Sequence, residues 1–210
     1  RVFAVRSGTP RVRNCTRHDR PFYNAILIFD NGVRMKMCSH IVRMAEYNEW
    51  MNSRLYDAAA ALPEAEIFAD KGAFFGSLYG TLNHIRLGDI IWLKRFATLA
   101  AYPALDEVRA MPAPAGFDQR SGDFGELRAL RARLDAIIRQ WAGEINETDL
   151  DLVLRYRSVD GMEFAREFGA SLMHFFNHQT HHRGQATTLL SQAGIDMGPT
   201  DLVVLVPNVA

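Results

Sequence analysis

The chain has 210 residues, 48% hydrophobic and 23% charged, and its 24 basic and 24 acidic residues cancel to a net charge of zero. That balance excludes global disorder and argues against a dedicated nucleic-acid binder, which carries a basic excess. No apolar run approaches the ~18 residues of a membrane span, and two cysteines, Cys15 and Cys38, make no disulfide framework, so a cytoplasmic protein without a membrane partner is expected.

Charge is uneven along the chain. Residues 1–36 hold eight basic residues against Asp19 and Asp30, which leaves the remainder acidic. Arg1–Arg20 has no apolar period and reads as a basic extension or leader, with a targeting segment or a nucleic-acid arm as competing readings. Within residues 23–37, the β-prone run Ala25–Phe29 is followed by Asp30-Asn31-Gly32, a turn signal for a small hairpin. Residues 1–37 are therefore set apart from an expected domain over residues 38–210.

Helical period begins near His40. Met44, Tyr47, Met51, Leu55, Ala58 and Leu62 recur every three or four residues and form one apolar stripe, which Pro63 ends. Glu64–Gly72 reads as a polar connection. Ser77 is placed to cap a second helix along Leu78, Leu82, Ile85, Asp89, Trp92, Phe96 and Leu99, which runs toward Pro103. Residues 103–125 read as a long loop, and Glu126–Ile145 as a third helix. Leu152, Leu154 and Tyr156 alternate with Val153, Arg155 and Arg157, and Asp160-Gly161 follows, which predicts a short β-hairpin or an extended, β-like crossover. A fourth helix is expected over Phe168–Ala193 with Gly194 at its end, then a strand-like run over Leu202–Val206. The sum is an all-α chain of four helices in a bundle, with no phosphate-binding loop or dinucleotide fingerprint.

The chemistry concentrates in the fourth helix. His174, His178, His181 and His182 fall within nine residues and, at ~100° per residue, within one sector of the helix. His174–His178 and His178–His182 are both i,i+4 pairs able to reach one ion. All three cannot easily share it, because His174 and His182 stand two turns apart. A bundle site also needs a ligand from a facing helix, and the second helix offers His84. Small residues one turn away, Thr81 and Gly88, would leave room for an ion and a substrate. Asp89 is a candidate acceptor for a ligating imidazole N–H. Neither cysteine has a neighbouring base, and the acidic pairs Asp106-Glu107 and Glu144/Glu147 read as solvated charge.

AEYNEWMNSRLYDAA, GSLYGTLNHIRLGDIIWLKRF and HFFNHQTHHRGQATTLL resemble the DinB family, the damage-inducible and YfiT-like metal-binding four-helix proteins. The resemblance runs from about Cys38 to Leu205. It implies an up-down-down-up four-helix bundle, a homodimer, and a divalent ion held by His84, His178 and His182. Asn177, His181, Arg183 and Gln185 match the motif without being ligands. Three imidazoles leave a coordination position open, and zinc, nickel or iron each suit such a set. The family is similar to metal-dependent enzymes that use low-molecular-weight thiols. A thiol S-transferase or related hydrolase, acting on a thiol and an electrophilic small molecule, is the implied function. The alternative is a non-catalytic metal-binding stress-response protein.

Overall fold

Six α-helices and one two-stranded sheet make up the described residues of a computed structural model, namely 36–209 apart from 115, 117, 118, 121 and 159. The helices are α1 (Met37–Ala60), α2 (Glu64–Phe68), α3 (Leu78–Phe96), α4 (Asp106–Ala110), α5 (Phe124–Glu144) and α6 (Phe168–Gln192). The four long ones are those the apolar period marks. Ser77 caps α3 by accepting from the Gly80 N–H, and Asp123 caps α5 by accepting from Glu126 N–H. Gly194, at φ +80°, closes the C-terminal end of α6 in the left-handed region that a side chain would resist.

The long helices pack α1 on α5 and α6, and α3 on α6. They enclose two apolar clusters. One gathers Ile41, Ala45, Leu93, Phe96, Trp141, Phe168 and Phe175; the other gathers Leu55, Tyr56, Leu78, Leu82, Leu127 and Leu190. Between the clusters every long helix contributes buried polar side chains: Asn48 and Asn52, Asp89, Arg131 and Asp135, Gln179 and Arg183. Arg131 bridges Asp89 and Asp135, and Asp135 Oδ1 accepts from Asn48 Nδ2 at 3.0 Å and Asn52 Nδ2 at 2.9 Å. Gln179 Nε2 donates to Asp89 Oδ1 at 2.7 Å, and Arg183 donates to Asn48. Buried charges of this kind persist only when paired and hydrogen-bonded. The layer therefore fixes which level of each helix faces which.

The expected crossover is an antiparallel hairpin, β1 (Val153–Arg157) with β2 (Glu163–Glu167), in which Tyr156 faces Phe164. Leu154 turns into the first cluster, while its neighbours on β1 stay exposed or half-buried. Four expectations need correction. Glu64–Gly72 is not wholly a connection, because α2 forms behind Pro63 and buries Ile67. The helix expected to reach Pro103 ends at Phe96, and Pro103 instead opens a 3-10 turn that leads into α4, inside what reads as a long loop. The run Leu202–Val206 is a 3-10 turn over Leu202–Leu205, not a strand. It lies along α1, where Arg43 Nη1 donates to Leu205 O at 2.9 Å and Tyr47 Oη donates to Thr200 O at 2.7 Å, and neither strand of the hairpin, which forms the sheet among the described residues, pairs with it. The hairpin expected over residues 23–37 lies outside the described residues except for Lys36 and Met37, where α1 begins.

Candidate metal centre

The site forms where α3 and α6 lie side by side. On α3, His84, Gly88 and Trp92 follow at i,i+4 spacing and share one face. On α6, His182, His178 and His174 do the same in the opposite sense. Rings meet across the seam: His84 lies 4.5 Å from His182 and 5.1 Å from His178 between centroids, and Trp92 lies 4.9 Å from His174.

The structure thus brings together His84, His178 and His182. One ring nitrogen from each can be chosen so that all three lie within 4.8 Å of one another. The Nε2 atoms of His84 and His178 are 3.1 Å apart. Nitrogens held at about 2.0–2.1 Å by a tetrahedral ion stand roughly 3.4 Å apart, so the pair is already near ligand spacing. His84 and His182 are only 8% and 9% exposed. Burial, reinforced by the neighbouring imidazoles, pushes the His84 ring down to about 4 and the His178 ring down to about 3. Burial also lowers His182. All three are therefore neutral at pH 7, with lone pairs to offer.

Three neighbours hold the rings in place. His182 Nδ1 lies 2.8 Å from Gln185 Oε1, a carbonyl that can only accept, so Nδ1 carries the proton and Nε2 is left as the donor atom for an ion. The Phe75 ring stacks on His84 at 4.0 Å and meets His182 edge-on at 5.3 Å. Gly88 supplies the space for His178: a Cβ there would stand 2.7 Å from His178 Cε1. The room expected beside Gly88 for an ion and a substrate is thus filled by an imidazole.

Other candidates fall elsewhere. Asp89 does not serve as the acceptor expected for a ligand; its two oxygens accept from Arg131 and Gln179 in the buried polar layer. His174 is one turn away, against Trp92, and His181 sits beside His182 with its Nε2 3.4 Å from Gln185 Nε2. Cys38 is free, and its thiol is pushed up by burial and by Glu147 rather than activated. Sequence reasoning missed Phe75, which lies outside any periodic element. It also missed the polar layer, whose signal is present as the i,i+4 pairs Asn48/Asn52, Arg131/Asp135 and Gln179/Arg183 on otherwise apolar faces.

The DinB family matches residues 37–206. Protein DinB of Bacillus subtilis (strain 168) is 25% identical over 165 residues, which cover 79% of this chain and 92% of that protein. No solved structure matches significantly. With a family match that spans all four long helices and all three clustered histidines, the chain belongs to the DinB family.

Proposed function

We propose that His84, His178 and His182 hold one divalent metal ion, zinc, nickel or iron, and that the protein uses it as a thiol S-transferase or related enzyme. The observation that carries the reading is the meeting of three neutral, half-buried to buried imidazoles within 4.8 Å. Three imidazoles buried or half-buried against one another are costly without a partner, and an ion supplies one. A three-histidine set leaves a coordination position open, and an ion there supplies the positive charge that favours a thiolate over a thiol. In this reading the chain contributes orientation: Gln185 sets the His182 tautomer, and Phe75 and Gly88 hold the other two rings.

The same reading includes an up-down-down-up four-helix bundle. α1 and α6 pass from the first apolar cluster to the second, while α3 and α5 pass from the second to the first, which supports it. No helix among the described residues is long and apolar enough to cross a membrane. A cytoplasmic homodimer formed through outward helix faces completes the proposal, and light scattering across a wide concentration range tests it.

Metal analysis of protein purified without an affinity tag tests the centre. About one divalent ion per chain is expected, and its loss on His84→Ala, His178→Ala or His182→Ala. A thiol-conjugation screen with and without chelator then tests the chemistry. Conjugation abolished by chelator supports the transferase; full metal occupancy with no conjugation of any thiol tried favours the non-catalytic metal-binding reading.

A further inference from the structure

The seam that holds the three histidines does not end at His178. One turn further along α6, a rise of ~5.4 Å, it opens into a cleft of about 590 Å³ between α3, the hairpin and the start of α6. That volume lies in the range of small-molecule sites. Trp92 and Tyr156 form aromatic walls, with ring centroids 5.4 Å apart at 65°, and His174 closes the side nearest the clustered histidines, 5.9 Å from His178.

One cation, Arg166, lines the cleft. Outside the lining, the Arg95 guanidinium lies 4.7 Å over Trp92 and 4.3 Å over Tyr156. Arg166 projects from the exposed edge of β2 and lines the cleft, with Nε donating to Tyr156 Oη at 3.1 Å. Neither arginine forms an ion pair among the described residues, although Glu167 lines the same cleft. With Nε committed to Tyr156, Arg166 still presents its Nη1/Nη2 edge, a planar pair of donors matched to the two oxygens of a carboxylate.

We propose that this cleft binds a small organic acid, with its apolar body against the cleft-lining parts of Trp92 and Tyr156 and its carboxylate on Arg166. Its unbound end would be directed past His174 toward His84, His178 and His182, where a bound ion would meet it. That last step rests on the reading of the three histidines as a metal centre; the binding of the acid does not.

Isothermal titration of the full chain with naphthalene-2-carboxylate tests the site, in metal-free and zinc-loaded protein, with zinc content measured in the same samples. The carboxylate is expected to bind both forms alike. Naphthalene-2-methanol, its neutral counterpart, is expected to bind about tenfold more weakly, and Arg166→Gln to weaken the carboxylate about tenfold while leaving the alcohol unchanged. Arg166→Lys should fall between, because it keeps the charge and loses the paired donors. Arg166 lies at an exposed strand position, so circular dichroism of both variants should match the parent. No binding at millimolar carboxylate, equal binding by Arg166→Gln, or binding only when zinc is present would each overturn the assignment. If the protein takes up no zinc while the carboxylate still binds through Arg166, the cleft stands and the metal reading falls.

Discussion

Gly88→Ala separates the metal centre from the fold. Alanine is the better helix former by roughly 1 kcal/mol, and Gly88 lies in the interior of α3, so intrinsic propensity favours the variant. Against this, the new Cβ would stand 2.7 Å from His178 Cε1 and 3.3 Å from Nδ1. Ordinary carbon contacts begin at about 3.5 Å, so the ring must retreat by at least about 0.8 Å. His178 can do so, because the contact falls on the end of a side chain that is not fully buried. It cannot do so and keep its Nε2 near the His84 Nε2, now 3.1 Å away. Metal–ligand distances tolerate only about ±0.2 Å, so the displacement removes a ligand. The metal-free variant should therefore melt within about 4 °C of the parent, since 1 kcal/mol moves a domain of this size by about 2–4 °C. Its zinc affinity should fall by at least 100-fold, and the rise in melting temperature on zinc addition should largely disappear. Melting curves with and without zinc, together with competition against a chromophoric chelator, measure both. Parental zinc affinity in a folded Gly88→Ala protein would refute the claim that His178 is a ligand held by this contact.

Three further outcomes follow from the same structure. Gln185→Leu removes the acceptor that holds the proton on His182 Nδ1 and should weaken zinc binding by about 10–100-fold, whereas His174→Ala, one turn from the cluster, should leave zinc content mostly intact; chelator competition on both reads the difference. Asp89→Ala leaves Arg131 with one buried carboxylate instead of two and should cost about 3–5 kcal/mol, seen as a melting temperature lower by roughly 6–20 °C; a drop under about 2 °C would show that the polar layer is dispensable. In metal-free protein, folding holds His84 at about 4 and His178 at about 3, below the ordinary imidazole value, so the unfolded chain takes up protons first as pH falls. These two groups should make stability decline from about pH 6.5 downward, and denaturant titrations should show a shallower decline over that window in a His84→Asn/His178→Asn variant.

The long helices were readable because each carries one signal over many turns. Apolar residues at three- and four-residue spacing, Ser77 ahead of α3, and Gly194 behind α6 require only local chemistry, and the structure places α1 and α6 within a few residues of their expected bounds and starts α3 where Ser77 predicts, though α3 stops at Phe96, short of Pro103. The hairpin was readable for the same reason, with alternation along β1 and a Gly-containing turn. α2 and α4 were not, because five residues are too few for a period to register, and burial of Ile67 and Val108 against the long helices is what stabilises them. The run after residue 201 shows the converse: its valines carry β propensity, but among the described residues no strand pairs with it, and donors on α1 hold carbonyls of the tail instead.

The sequence by itself determined that His174, His178, His181 and His182 share one sector of α6, since helical geometry alone puts them there. It left two i,i+4 pairs equivalent. Only the tertiary structure shows which pair faces His84, because the level at which α3 meets α6 sets His84 opposite His178 and His182 and sets Trp92 opposite His174. That level is held by contacts distant in sequence, chiefly Asp89 with Gln179 and Arg131 with Asp89, and by the absence of a side chain at Gly88. Spacing along one helix fixes angle and rise; which residue of another helix stands opposite is a property of packing, and no single segment encodes it.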